Sequence, residues 1–406
     1  MCCIVFLALL WGLWYNKLWQ NSSMAVAKNG FVPATDKQLK LGGANMSDEK
    51  RWQFELEEYI KQGEPDKAEK SEAWQTAIGL QAVDGLNTST YLLDTAKEHI
   101  EGRISIDEAQ KRIQSYYEQK SDRTEIENET KEADIVSARI TKLLGEKSFQ
   151  FSPAEWATIH RRLFEGVFKH AGQYRTYNIT KKEWVLKGDT VIYADYNSIR
   201  DTLDYDFKTE KDFSYEGLSV EASVKHLAKF ASDIWQIHPF CEGNTRATAV
   251  FMIKYMRTFG FRANNDAFKE NSWFFRNALV RANYNDLQKD IHSTTKYLEM
   301  FFSNLLLGTD HELKNRYMHI DYVDEDNFQS ATSEIPKCQN GTLECSLEEL
   351  AVLNLIKANP TVKQQELVDA TGKSLRSIKR IMKSLQDKNY VRRENGKRYG
   401  KWEVLI

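Results

Sequence analysis

The chain has 406 residues, of which 41% are hydrophobic and 28% are charged, and its formal net charge is -2. That length allows two or three domains with cores of their own, and the near-neutral charge excludes a uniformly basic protein that coats nucleic acid or a membrane surface. The five cysteines show neither metal-ligand spacing nor the density of a disulfide framework, which is typical of a reducing compartment.

Residues 1–45 form an N-terminal extension that contains an apolar run from Cys2 to Tyr15. The run lacks the basic start and the small-residue cleavage site of a secretory signal, and at about 14 residues it is short for a membrane span. The alternatives are a signal-anchor, a signal peptide, or sequence upstream of a later start codon at Met24 or Met46, and we favour the last. We therefore expect a cytoplasmic protein, with membrane anchoring as the alternative.

Residues 46–118 have the periodicity of a small module of helices. Apolar residues recur at helical spacing, and Ser105 followed by Glu108 is typical of a helix N-terminus in which side chains cap the backbone. The polar, acidic stretch 118–132 that follows predicts a linker or a loop.

Residues 133–320 form the largest predicted domain, and their pattern is almost wholly helical. One segment differs, because the β-prone runs 184–186 and 190–193 flank the turn residues Lys187, Gly188 and Asp189. This pattern predicts a β-hairpin. Within a helical domain such a hairpin is either a functional flap or a simple connector, and both interpretations stay open.

The nine residues from His238 to Arg246, HPFCEGNTR, combine the groups that phosphoryl chemistry uses. A histidine can take a proton, a carboxylate can hold a divalent metal, and an amide and a guanidinium can hold phosphate oxygens. An apolar helix follows directly, and the free N–H groups of a helix N-terminus favour anions. Each residue alone has an ordinary structural explanation, but together they predict a phosphate site with a base.

Residues 321–345 are polar and acidic and predict a linker, after which residues 346–406 predict a winged helix-turn-helix. Three short helical stripes are followed by two β-prone runs around a Gly396 turn, and Lys373-Ser374 is the expected cap of the third helix. This domain carries a net charge of +6, and four basic residues at helical spacing predict a DNA-contacting face. These candidates are Arg376, Lys379, Arg380 and Lys383. The alternative is a protein-binding winged helix with a solvated basic face.

The nine-residue motif resembles that of the Fic (Fido) family, HPFx(D/E)GNxR, and we place the resemblance over about residues 133–307. It implies a mainly α-helical Fic core with a β-hairpin flap. It also implies His238 as the general base, Glu242 as the ligand of Mg²⁺, and ATP as the substrate. The phosphate-binding residues that it implies are Gly243, Asn244, Thr245 and Arg246.

Two positions depart from the family pattern. A second arginine often follows the first by three residues, but that position is Ala249 here, and Thr245 replaces a frequent glycine. The missing guanidinium leaves open how the outer phosphate is held and which group is transferred. In the family, the flap clamps a segment of the target protein by strand addition. The flap positions implied here are Ile179, Thr180, Lys181, Lys182, Glu183 and Trp184.

The module at residues 46–118 resembles the small VbhA-like antitoxins that bind and inhibit Fic toxins. In those antitoxins a glutamate pairs with the second motif arginine. The aligned positions here are Leu80, Asp84 and Gly85, so the hydroxyl is lost and the acid is one methylene shorter. We expect a module that packs on the core and inhibits weakly or only sterically; the alternative is a plain helical domain.

These resemblances imply a protein adenylyltransferase that transfers AMP from ATP to a Ser, Thr or Tyr hydroxyl of a protein, with auto-modification. One alternative is a Fic protein that transfers another phosphate-containing group or removes AMP. Another is a DNA-binding regulator whose Fic domain senses nucleotide without catalysis. The expected partners are a target protein and DNA, and a homodimer is left open.

Overall fold

The computed structural model describes residues 52, 65–119, 124–261, 266–322, 345–394 and 400–406. In this part of the chain the fold is mainly helical, with thirteen α-helices and one small two-stranded antiparallel sheet, as the sequence predicts. The predicted extension at 1–45 and most of the predicted linker, residues 323–344, lie outside the described residues. Among the described helices, none is long and apolar enough to cross a membrane.

Among the described residues, the N-terminal module has three helices and a 3-10 turn. Helix α1 (Pro65–Gly79) leads into the turn Leu80–Asp84, and helices α2 (Thr90–Ile100) and α3 (Ile106–Glu118) follow. Ser105 Oγ accepts from the Glu108 N–H at 3.1 Å, which confirms the predicted start of α3. The apolar faces of these helices meet around Trp74, Leu92 and Ile113, all buried.

Helix α4 (Glu125–Gly145) joins this module to the central domain. Residues 125–132, expected in a linker or loop, are instead its first two turns. Thr124 and Glu127 form a capping box there, and early acidic residues favour the positive end of the helix dipole. The buried Asp134 carboxylate accepts from the Ser89 backbone N–H at 2.9 Å and from the Tyr117 hydroxyl at 2.7 Å, which ties α4 to the ends of α2 and α3.

In the part of the central domain that the structure describes, there are six further helices. They are α5 (Pro153–Phe164), α6 (Ile199–Asp212), α7 (Val220–Ile237), α8 (Asn244–Thr258), α9 (Asp266–Ala282) and α10 (Lys296–Leu307). Helix α8 is the central one, because every residue from Asn244 to Met256 is buried. Helix α1 ends tightly against α9: a Cβ added at Gly79 would lie 2.4 Å from the Lys269 carbonyl oxygen. The N-terminal module therefore shares a packed interface with this core.

The segment between α5 and α6 differs from the predicted β-hairpin. The residues that were expected to form its first strand, Trp184–Leu186, form a 3-10 turn. Val185 and Leu186 are both buried, whereas consecutive residues of a strand point to opposite faces. The chain still doubles back, because the Glu183 N–H donates to the Asp189 carbonyl at 2.9 Å. We call residues 179–194 the flap segment.

The C-terminal domain has the predicted winged helix-turn-helix order. Helices α11 (Leu347–Ala358), α12 (Gln364–Thr371) and α13 (Leu375–Asp387) precede strands β1 (Val391–Arg393) and β2 (Trp402–Val404), which pair antiparallel. Ser374 Oγ accepts from the Ser377 N–H at 3.1 Å and caps α13, as predicted. Leu347 and Leu350 of α11 belong to the main core, so this domain is packed against the central one.

Candidate active site

His238 lies in a left-handed turn immediately after α7, with φ 48° and ψ 57°. A residue with a β-carbon rarely adopts this conformation unless its surroundings hold it there. The side chain of Arg175 does so, because its Nε donates to the His238 carbonyl at 2.8 Å and its Nη2 to the Ile237 carbonyl at 3.2 Å. The backbone N–H of Arg175 also donates to the Pro239 carbonyl at 2.8 Å. Arg175 is therefore a positioning residue that sequence reasoning missed.

The imidazole of His238 is 3% exposed and its ring centroid lies 4.2 Å from that of Tyr193. Burial is the main reason that its pKa falls well below 6.5, and the positive charges of Lys181, Arg276 and Arg175 lower this pKa further. Nδ1 lies 3.3 Å from the Trp235 carbonyl, so it carries the proton and donates. His238 is then neutral at pH 7 with Nε2 free to accept a proton, which a general base requires.

The loop after His238 is held by its own side chains. The Asn244 Oδ1 accepts from the Phe240 N–H at 3.0 Å, and Asn244 Nδ2 donates to the Phe240 carbonyl at 2.8 Å. Gly243 has φ 75°, and a β-carbon there would lie 2.4 Å from the Phe164 ring, so only glycine fits. Gly243 is the N-cap residue of α8, and no side-chain hydrogen bond caps the helix at this position. An anion site at a helix N-terminus requires such uncapped backbone N–H groups.

A small cleft brings several predicted residues together. It is lined by Asp84, Lys181, Trp235, His238, Gly243, Asn244, Thr245 and Arg276. The Thr245 hydroxyl also accepts from Trp235 Nε1 at 3.0 Å, which fixes the end of α7 against the start of α8. The predicted base and the start of the predicted anion-binding helix therefore share one space.

Arg246, a predicted phosphate ligand, is held by other side chains in the structure. It is 2% exposed, and its Nη1 donates to Gln81 Oε1 at 3.0 Å and its Nη2 to Glu132 Oε1 at 2.6 Å. Its Nε lies 2.7 Å from Asp84 Oδ2, in an ion pair without hydrogen-bond alignment. Phosphate binding by Arg246 stays a prediction that requires these contacts to open.

The aligned antitoxin positions lie at this same contact. Leu80 is fully buried in the main core, and Gly85 closes the 3-10 turn with φ 72°. The second motif arginine is absent, as the sequence shows, but Asp84 pairs with the first motif arginine, Arg246, instead. The motif does not predict the Asp84–Arg246 ion pair, since this contact depends on how the 3-10 turn packs against α8.

Glu242, the predicted metal ligand, is 55% exposed in its side chain and lies 2.8 Å from Lys181 Nζ. Among the described residues, no group of three His, Cys, Asp or Glu side chains is clustered to hold a metal. A single accessible carboxylate beside a phosphate cleft still fits Mg²⁺, which proteins often bind through one or two carboxylates together with substrate phosphates and water. Glu242 is the residue that would hold it.

His160 orients the motif loop from behind, and sequence reasoning missed it. Its Nδ1 accepts from the Gly172 N–H at 2.9 Å, its Nε2 lies 2.9 Å from the Glu242 carbonyl, and its ring stacks on Phe240 at 3.7 Å. Burial is the main cause that lowers its pKa to about 4. The neutral ring can donate from one nitrogen and accept at the other, as these two contacts require.

The six predicted flap residues divide between solvent, cleft and core. Thr180 and Lys182 are exposed, Ile179 is partly buried, and Lys181 lines the cleft. Trp184 is 50% exposed and packs edge-on against His319. Glu183 cannot contact a target in this arrangement, because it is 1% exposed and its carboxylate pairs with Arg276 at 2.9 Å.

Comparison with known proteins agrees with this geometry. Residues 150–256 match the model of the Fic/DOC family, and this stretch includes His238 and the rest of the nine-residue motif. This part of the central domain is therefore a Fic domain. Residues 349–392 match a model described as winged helix-turn-helix DNA-binding. Arg276 and the module residues Gln81 and Asp84 lie outside the Fic match.

A probable protein adenylyltransferase (y4lH) of Sinorhizobium fredii is 28% identical over 135 residues. The similar region is 33% of this chain and 66% of the relative's length. The Fic match and this relative support a transferase of the Fic type. A crystal structure of a Fic family protein from Desulfovibrio desulfuricans G20 aligns with a TM-score of 0.38 and 11% identity, covering 89% of this chain and 97% of that one.

Proposed function

We propose that this protein transfers AMP from ATP to a hydroxyl group of a protein side chain, its own included. The observation that carries the proposal is the neutral, buried His238 in the same cleft as the N-terminus of α8. A base lies in the same small cleft as the N-terminus of a helix that can bind an anion. This arrangement suits the attack of a hydroxyl group on a phosphate.

In the proposed reaction, Nε2 of His238 takes the proton of the acceptor hydroxyl. The hydroxyl oxygen forms a bond to the α-phosphorus, and the bond between that phosphorus and the bridging oxygen of the β-phosphate breaks. The products are an AMP-modified side chain and pyrophosphate. Arg175 contributes by holding His238 in its left-handed turn, and Asn244 contributes by fixing the loop.

Glu242 would present its carboxylate to Mg²⁺ beside the phosphates. When bound, the metal would neutralise the charge of the departing pyrophosphate. Lys181 contacts Glu242 at 2.8 Å, so the flap segment and the metal ligand are coupled. The flap segment is also where we propose that the target protein docks, through the exposed residues Thr180, Lys182 and Trp184.

The experiment that tests this function uses ATP labelled either at the α- or at the γ-phosphate. Incorporation of the α-label alone supports AMP transfer, and incorporation of the γ-label supports transfer of another group. His238→Ala should abolish incorporation, whereas the matched control His292→Ala, an exposed histidine outside the cleft, should retain it. ATP binding without any label in the wild type would favour the nucleotide-sensing alternative.

DNA binding is a second proposed function, which the winged helix-turn-helix supports. The four basic candidates Arg376, Lys379, Arg380 and Lys383 are all exposed on α13, while the opposite face of this helix is buried. Such a face can contact phosphates of a duplex. Arg392 in the adjacent wing is less available for phosphate contact, since its Nε donates to Glu403 Oε2 at 3.0 Å.

A further inference from the structure

We infer that Arg276 of helix α9 binds the outer phosphates of the nucleotide and replaces the guanidinium that is missing at Ala249. The inference rests on the proposed function, because it takes the ligand of the cleft to be a nucleoside triphosphate. It concerns a residue beyond the stretch that matches the Fic family.

The motif itself leaves the cleft short of positive charge. Ala249 is fully buried in α8, and Arg246 is engaged by Gln81, Asp84 and Glu132. The side chains lining the cleft that carry positive charge are those of Lys181 and Arg276. Lys181 offers a single ammonium group, which is paired with Glu242, whereas Arg276 is the guanidinium that lines the cleft.

Arg276 is placed to meet an anion. Its side chain is 16% exposed and lines the cleft together with His238, Gly243 and Thr245. Because both side chains line this cleft, the positive charge of Arg276 also contributes to the lowered pKa of His238. A guanidinium can bind two phosphate oxygens at once, and this is the type of contact that a terminal phosphate requires.

Glu183 orients this guanidinium. Arg276 Nη2 donates to Glu183 Oε1 at 3.1 Å, and Nη1 lies 2.9 Å from Oε2. The Glu183 carboxylate is fully buried and belongs to the flap segment. The orientation of the Arg276 guanidinium therefore depends on the position of the flap segment. The guanidinium keeps further N–H donors besides those that face Glu183. Glu183 is thus a positioning residue, and Arg276 is the residue that would touch phosphate.

Asp84 lines the same cleft and carries negative charge beside the proposed phosphate position. A triphosphate at Arg276 and the Asp84 carboxylate would repel each other, since both are anions.

The test compares the binding of inorganic tripolyphosphate, ATP and AMP by titration calorimetry. Removing Arg276 alone would leave Glu183 buried without a partner, so the informative pair is Glu183→Gln and the double variant Glu183→Gln/Arg276→Gln, whose amides can still bond to each other. Thermal unfolding of both variants verifies that they are folded. Relative to Glu183→Gln, the double variant should bind tripolyphosphate and ATP about tenfold more weakly or worse, with AMP changed less than about twofold.

The outcomes separate the inference from the proposed function. Equal tripolyphosphate affinity in the two variants, or no tripolyphosphate binding by the wild type, would overturn the role of Arg276. Arg276→Lys should give an intermediate affinity for tripolyphosphate, because charge is kept but the two-point contact is lost. Loss of triphosphate affinity as expected, combined with no label transfer by the wild type, would overturn only the adenylyltransferase proposal.

Discussion

Asp84 Oδ2 lies 2.7 Å from Nε of Arg246, and this ion pair joins the N-terminal module to the first turn of α8, where the nine-residue motif ends. Glu132 of α4 completes the arrangement, with Oε1 at 2.6 Å from Arg246 Nη2. Two carboxylates thus face one buried guanidinium that the motif assigns to phosphate. The N-terminal module therefore contacts the arginine that the motif predicts as a phosphate ligand.

We predict that Asp84→Asn raises the rate of auto-modification. The change removes one of the two carboxylates on Arg246 and one negative charge from the cleft, so anions should bind more tightly. A rise of roughly five- to tenfold corresponds to the lower end of typical coupling energies. The measurement is incorporation of labelled AMP at subsaturating ATP. The matched control is Asp94→Asn, an exposed aspartate of the same module, which should behave as wild type.

An unchanged rate in Asp84→Asn would support the weak inhibition expected from the degenerate antitoxin positions. Deleting the residues before Glu118 is a less specific test. It exposes the faces of α4 and α9 that Trp74 and its neighbouring helices cover, so lost activity could reflect lost packing. The single substitution leaves that interface in place.

The pH dependence of catalysis should follow His238. Because burial and nearby cations hold its pKa well below 6.5, His238 stays neutral as pH falls, and kcat/KM for ATP should fall only well below pH 6.5. Lys181→Met removes one of those cations, so the pKa should rise and the acidic limb should move to higher pH. The neighbouring Lys182→Met is the control, since Lys182 is exposed. An identical shift in both variants would contradict this assignment.

Because of His160, the free energy of unfolding should decrease as the pH is lowered. Its folded pKa of about 4 is below the usual 6.5, so the unfolded chain binds more protons between these values, and the free energy of unfolding decreases as pH falls from 6.5 to about 4. The shift corresponds to about 3 kcal/mol. His160→Gln should flatten this dependence in urea titrations, while exposed His292→Gln should leave it unchanged. His99, with its pKa lowered to about 4 mainly by burial, adds a similar contribution that both variants retain.

The local parts of this structure were predictable, and the long-range parts were not. The cap at Ser374, the three C-terminal helices and the motif turn depend on residues within a few positions of each other. Arg246, by contrast, meets Gln81 and Glu132 across 165 and 114 positions. The hairpin prediction failed because β-propensity alone does not reveal that Val185 and Leu186 are both drawn into the core.

Arg175 provides a test of the strained turn. Arg175→Lys keeps the charge but cannot span the carbonyls of Ile237 and His238, so His238 should sample other conformations. We expect turnover to fall by about 100-fold, the cost of a displacement of about 1 Å at a reacting group, while ATP affinity changes little. Steady-state kinetics and calorimetry measure the two effects. Exposed Arg200→Lys is the control, and a loss confined to ATP affinity would contradict a positioning role.

The basic face of α13 should bind DNA in a strongly salt-dependent way. Each phosphate contact contributes about 0.9 to the slope of log affinity against log salt, so Lys379→Ala/Lys383→Ala should lower that slope by about 2 and weaken binding across unrelated sequences. Lys357→Ala, a basic position on exposed α11 surface, is the control and should keep the slope. Fluorescence anisotropy with a labelled duplex at several salt concentrations gives both quantities. A slope unaffected by the double substitution would contradict phosphate contacts by this exposed face and favour the protein-binding alternative.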